Sequence, residues 1–381
     1  MNQNDHDTTD APVGRRRFLA AASAAGVAAT AGCIGSLTGD NDDSSGDLGL
    51  IGSGMDGRPA PGGTPMADMP DLSGTLTLYS GRGEPLVNPL LSYIEDQYDD
   101  FTVDTRYEAS TTLANQIETA GTASEADVFF SVNAGALGLL ADADRTVTLP
   151  DDVQELVPTQ YRAGGGAWVG TSGRARTIPY NTGELSAADV PEDIFAIPDT
   201  DFASDMGWAP SYGSFQGFLT AMRVMAGREK TKAWLEGMLE AGVSRYSDEF
   251  IVSRAVANGE LTAGFANHYY IQRVLANDED APIGTAFTQN DAGAIFNVAG
   301  AAVVDSTGDE SMSTNFVRHL LSAEAQEYFA TRTFEYPLIP EVEPVGDLPP
   351  VDELATPDFD LAQLSDIGPT IDLMREVGIQ V

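Results

Sequence analysis

The sequence predicts an α/β protein with two lobes around a cleft. Strand-like and helix-like segments alternate along it, which favours a mostly parallel sheet with helices on its faces. The chain has 381 residues, 42% of them hydrophobic, more than a single core usually holds. No catalytic motif fills its turns. In such folds ligands sit at the carboxyl ends of strands. The turns at 80–84, 131–135, 209–215 and 267–270 are therefore the places to search.

Taken in order, 76–80 is a short apolar strand closed by Gly81-Arg82-Gly83. Val87, Leu90, Leu91, Ile94 and Tyr98 then recur at helical spacing. Residues 101–107 alternate as a strand, 113–120 read as a helix, 126–130 as a buried strand and 137–141 as a further helix. The middle predicts helices over 218–226, 230–241 and 251–257. Late in the chain, 301–305 is a strand and 315–330 one long amphipathic helix. The segment 337–360, rich in Pro and Asp, is expected to wrap the surface.

The net charge is -38, from 20 basic and 58 acidic residues. The acids are scattered through every kind of segment and read as a solvated surface, suited to concentrated salt, where the Debye length is about 3 Å or less. At low salt the same charge repels itself. This composition excludes nucleic acid as a partner and predicts a halophile's protein. With one cysteine, Cys33, no internal disulfide is possible.

The position of Cys33 explains it. Arg15, Arg16 and Arg17 precede Phe18-Leu19, which resembles a twin-arginine export signal. The small and apolar run 18–31 is too short for the ~20 residues of a membrane-spanning helix, but suits a signal peptide. It ends in Thr30-Ala31-Gly32-Cys33, which resembles a lipobox, with the Cys33 thiol as lipid acceptor. Residues 34–72 are rich in Gly, Ser, Asp and Pro and lack hydrophobic periodicity. The expected plan is a signal peptide over 1–32 and a disordered, lipid-anchored tether over 33–72, with the folded part starting near Ser73.

Six segments, in order and at consistent spacing, carry a family resemblance: Tyr79-Ser80-Gly81-Arg82, Ala126-Asp127-Val128-Phe129-Phe130, 168–176, Gly213-Ser214-Phe215-Gln216, Asn267-His268-Tyr269-Tyr270 and Asn297-Val298-Ala299-Gly300. From about Thr75 to Val381 the chain resembles the ferric-iron-binding class of ABC-importer solute-binding proteins, here of haloarchaeal lipoprotein type. The resemblance implies a type II periplasmic-binding-protein fold, in which two lobes joined by crossover strands close over the ligand. It divides the chain into lobe 1 (73–176 and 299–350), lobe 2 (177–298) and a C-terminal segment (351–381) packing on both. It further implies Fe(III) as transported ligand, ABC permease subunits as partner, no catalysis, a monomer, and a location on the outer face of the membrane.

Tyr269 and Tyr270 are the sharpest site candidates. Ferric iron is a hard cation that prefers anionic oxygen. It can displace a phenol proton whose ordinary pKa is about 10. Adjacent residues on a strand face opposite ways, so both can ligate only from an irregular loop or a helix start. Tyr212 matches a third tyrosine of some relatives. Glu84 stands where others carry a tyrosine, and the family histidine is replaced by Gly83. Where some relatives have a ligand glutamate, the nearest match is Val132. The resemblance also implies a synergistic anion, carbonate or phosphate. Its candidate partners are Arg82, Arg174, Arg176, Ser214, Asn267 and the amides near Gly213, since guanidinium forks and helix-opening amides suit oxyanions. Asp248 and Glu249 stand where relatives often place Asn for the anion, and would repel it.

His268 reads as a neighbour of the site, His319 as a surface residue, and Trp168, Trp208 and Trp234 as core. A hydrolase is disfavoured, because Gly-x-Ser-x-Gly, His-Glu-x-x-His and Cys-x-x-Cys are absent and only three histidines exist. The alternative to iron on the same fold is a small organic ligand: thiamine, a phosphonate or a polyamine.

Overall fold

The computed structural model describes residues 58–381. The twin-arginine segment, Cys33 and the tether as far as residue 57 lie outside the described residues.

The first half opens with β1 (Gly74–Ser80), α1 (Glu84–Gln97), β2 (Phe101–Tyr107), α2 (Ser110–Ala120), β3 (Val128–Ser131) and α3 (Ala134–Asp142). The apolar run of β3 is buried throughout, as expected of a strand covered on both faces. The side chain of Asn133 caps α3, accepting from the Ala136 amide at 2.9 Å. A short helix α4 (Asp151–Gln154) precedes β4 (Val169–Asn181), a strand of 13 residues.

The second half contains β5 (Met206–Trp208), α5 (Gly213–Ala226), α6 (Arg228–Ala241), β6 (Ser244–Arg245) and α7 (Glu249–Ala257). It continues with β7 (Ala263–Gly264), β8 (Ala266–Asn267), α8 (His268–Asn277) and β9 (Ile283–Ala286). The chain returns through β10 (Phe296–Val303), α9 (Glu310–His319), α10 (Ala323–Thr331) and β11 (Tyr336–Pro337), and ends in α11 (Gly368–Glu376).

The sheet order is β2-β1-β3-β10-β4-β7-β5-β6. Pairings at both outer parts are parallel. Those made by β4 and β10 are antiparallel. The fold is therefore mixed α/β with flanking helices, and β4 is common to both halves. Two large apolar cores flank it: Val169 and Ala175 belong to the first, Ile178 to the second. Arg174 and Arg176 sit on the stretch where β4 passes from one core to the other. Here the strand lies close to β10: a Cβ on Gly173 would come within 1.9 Å of the Phe296 ring, so only glycine fits.

Four expectations are corrected. Residues 58–72 are not a loose tether, because Met66 and Leu72 are buried in the first core and Arg58 pairs with Glu327 at 2.7 Å. The expected helix 315–330 is two, α9 and α10, broken at Leu320-Leu321; Ser322 caps the second by accepting from the Ala325 amide at 3.1 Å. The tail after β11 does not merely coat the surface, since Leu338, Ile339, Val342, Val345 and Leu348 fill the first core. His319 is fully buried rather than on the surface, hydrogen-bonded to the Tyr98 hydroxyl at 2.6 Å.

Candidate functional site

Tyr269 and Tyr270 are the second and third residues of α8, at a helix start. Their ring centroids are 4.2 Å apart. The Tyr270 hydroxyl meets that of Tyr212, the residue before α5, at 2.5 Å. Asn267 donates from its side-chain amide to the Tyr269 hydroxyl at 3.4 Å. Three phenol oxygens thus gather between two helix starts. Arg273, one helical turn on, lies over both rings, its guanidinium carbon 5.3 and 5.6 Å from their centroids.

Both adjacent phenols are held neutral. Burial raises the Tyr269 pKa above its ordinary value, against the opposing charge of Arg174. Burial and the neighbouring Tyr269 and Tyr212 raise that of Tyr270. His268 has its pKa pushed down to about 4, chiefly by burial, and its Nδ1 accepts from the Ala175 amide at 3.1 Å. It is a neutral structural neighbour of the pair.

Beside the tyrosines is a cavity of about 590 Å³. Six of the expected site residues line it: Tyr269, Arg174, Arg176, Gly213, Ser214 and Asn267. Its further wall comes from Val132 and Asn133 after β3, Asn297 on β10, and Leu364 and Ile367 from the C-terminal segment. The turn at Leu361–Ser365 packs against both α3 and α5.

Arg176 is 2% exposed and pairs through Nη1 with Glu249, itself fully buried. Glu249 also accepts from the Asn267 amide at 3.1 Å. Asp248 caps α7 by accepting from the Ile251 amide at 2.9 Å. Arg174 donates through Nη2 to the Val132 carbonyl. Buried donors remain on the site residues: Arg174 Nε, Arg176 Nε and Nη2, and Ser214 Oγ have no hydrogen-bond partner among the described residues. Buried polar groups are normally satisfied, so such a set on residues that line one cavity suits an oxyanion.

Two expected residues lie elsewhere. Arg82 does not line the cavity: it donates to Glu335 at 2.5 Å and to Ser172 at 3.1 Å, with its guanidinium over the Phe130 and Phe329 rings at 5.3 and 5.2 Å. A guanidinium this deep needs a carboxylate of its own, and Glu335 supplies it. Glu84 is exposed on the first turn of α1 and is not part of the cavity lining.

The Arg82–Glu335 pair gives a stability prediction. Arg82→Met leaves a buried carboxylate unpaired and should cost about 3–5 kcal/mol; denaturant unfolding would check it. Burial alone would raise the Glu335 pKa, but Arg82 and Arg174 outweigh it and the net shift is downward. The pair's contribution is therefore present above the unfolded carboxyl value of about 4.3 and lost as pH falls through the lower native value.

Sequence reasoning missed Glu249 as a partner of Arg176, along with Asn297, Leu364, Ile367 and Arg273. Only Arg273 left a signal, its spacing of three and four residues from the tyrosines on a helix.

Comparison with known proteins agrees with this architecture. A family model described as bacterial extracellular solute-binding protein matches residues 92–355. The chain is 28% identical over 314 residues to an Fe(3+)-binding periplasmic protein of Serratia marcescens, covering 80% of this chain and 90% of that protein. It is 30% identical over 276 residues to a major ferric iron-binding protein of Neisseria meningitidis, covering 70% and 82%. The crystal structure of iron-bound HitA from Pseudomonas aeruginosa superposes with a TM-score of 0.68 at 28% identity, covering 80% of this chain and 99% of that one.

Proposed function

Because the chain belongs to the bacterial extracellular solute-binding protein family, we propose that it captures ferric iron outside the cell membrane and delivers it to an ABC permease. The observation that carries this reading is the convergence of Tyr212, Tyr269 and Tyr270 beside guanidinium donors that have no partner among the described residues. Among the described residues no group of three or more His, Cys, Asp or Glu stands where it could hold a metal. A metal here relies on the phenols, and phenolate oxygen suits a hard trivalent ion rather than a soft one.

In this reading Fe(III) displaces the phenol protons of Tyr269 and Tyr270 and of Tyr212. Asn267 steadies Tyr269. A small anion, carbonate or phosphate, occupies the cavity against Arg174, Arg176, Ser214 and the Gly213 amide at the start of α5. Glu84 joins the shell only if closure carries α1 toward the tyrosines. The two halves act as lobes that turn about β4 and β10, and their closure shields the metal and forms the surface the permease accepts. The wider setting is proposed with it: export by the twin-arginine route, a lipid on Cys33, a saline habitat, and a monomer that binds no nucleic acid. No helix among the described residues is long and apolar enough to cross a membrane.

Titrating ferric nitrilotriacetate into the iron-free protein in multimolar salt tests the reading. A visible tyrosinate-to-iron charge-transfer band is the expected result. No band, with carbonate and phosphate both supplied, would sink it. The unpartnered donors would then favour an organic oxyanion, a phosphonate before thiamine or a polyamine.

A further inference from the structure

We infer that Glu249 is a specificity-determining residue: it restricts the cavity's anion to a planar, singly charged oxyanion of the hydrogencarbonate class and excludes dianionic phosphate. The inference takes from the proposed function only its anion half.

Arg176 is the deepest cation of the cavity, 2% exposed, and its guanidinium lies over the Phe215 and Phe218 rings at 5.4 and 4.9 Å. Its Nη1 is committed to Glu249. That leaves Nε and Nη2, the side-on fork of the group, both without a hydrogen-bond partner among the described residues. A two-donor edge matches the two coplanar oxygens of a planar oxyanion. The carboxylate on the other side of the same guanidinium has already neutralised its charge. Glu249 is fully buried, so bulk salt screens it little. It repels every further negative charge brought to the fork, by about tenfold or more in affinity per charge at such separations. The anion therefore gains directed hydrogen bonds from Arg176 but little net Coulomb attraction, and low charge is favoured.

The second carboxylate oxygen accepts from the Asn267 amide at 3.1 Å. Glu249→Gln can keep that acceptor while removing the charge. The experiment is calorimetric titration of hydrogencarbonate and of phosphate into the full, iron-free chain at about pH 8, where the first is a monoanion and the second a dianion. One fixed background salt is used, so its competition cancels in the ratio of affinities.

Wild type should prefer hydrogencarbonate by about tenfold or more, and Glu249→Gln should shift the ratio toward phosphate by a similar factor. An unchanged ratio in the folded variant overturns the inference. If the variant does not fold, wild type alone decides: a preference for phosphate, or binding of neither anion, overturns it. A ferric titration without a charge-transfer band but with the ratio intact would sink the metal reading and leave this one standing. A band with an unchanged ratio would do the reverse.

Discussion

The Tyr269→Phe/Tyr270→Phe protein is expected to lose the ferric charge-transfer band and to bind ferric iron at least three orders of magnitude more weakly. Partners that only orient a metal's ligands cost about 10–100-fold each when removed, and deleting two ligands outright costs on the order of 10⁴-fold. The substitution leaves the rings in place. Their tilted ring contact at 4.2 Å, the contact of the Tyr270 ring with Phe250 at 6.2 Å and the Arg273 guanidinium over both faces need no hydroxyl. What is lost from the iron-free fold is the Tyr212–Tyr270 hydrogen bond and the weak one from Asn267, each about 1 kcal/mol. Thermal unfolding of the iron-free variant should thus stay close to wild type while the band disappears. A variant that keeps the band would move the metal away from α8. Tyr212→Phe alone should shift and weaken the band without abolishing it.

Acid should release the metal steeply. The free protein holds Tyr269 and Tyr270 neutral, since burial raises both pKa values above the ordinary phenol value of about 10. In the proposed ferric form both are phenolates, so binding would expel protons and lower pH would favour the free state. Each expelled proton makes the affinity fall about tenfold per pH unit. Two phenols give a fall of about a hundredfold per unit, and a third from Tyr212 makes it about a thousandfold. Competition against a chelator whose own pH dependence is known would give the slope. Proton release measured with an indicator dye would give the count. A slope near zero would mean that the phenols bind without ionising, and would remove the chemical basis of the site.

Much of the first half was legible because its sequence obeys one period at a time. Val87, Leu90, Leu91 and Ile94 are all buried on α1, and Val128 to Phe130 form the buried β3. The errors came where apolar residues continue across a break. Leu320 and Leu321 kept a helical rhythm past the end of α9, and Ser322, the N-cap of α10, was the overlooked start signal of a second helix. Between Leu338 and Leu348 the buried residues follow no period, because that stretch reaches the core as irregular chain. At the site, the argument that neighbouring tyrosines need an irregular loop or a helix start admits the place they occupy at the start of α8. The charge pairing was not legible. Arg176 meets Glu249 73 residues away and Arg82 meets Glu335 253 residues away, and local pattern carries no trace of such distances. Glu249 read only as a repulsive acid, because its pairing with Arg176 was invisible.

The wall that Leu364 and Ile367 contribute has a bearing on how the molecule is made. The last strand, β11, ends at Pro337, so a ribosome can finish the whole sheet, both cores' strands and all three tyrosines before these two residues are joined. A nascent chain at that stage has the three candidate tyrosines but an unfinished chamber, missing the turn that packs across α3 and α5. Translation must run on to Ile367 before the cavity has all its sides. An enclosed cavity is then a property of the chain through Ile367, and a product stalled after the sheet would carry the three tyrosines beside a chamber that lacks one side.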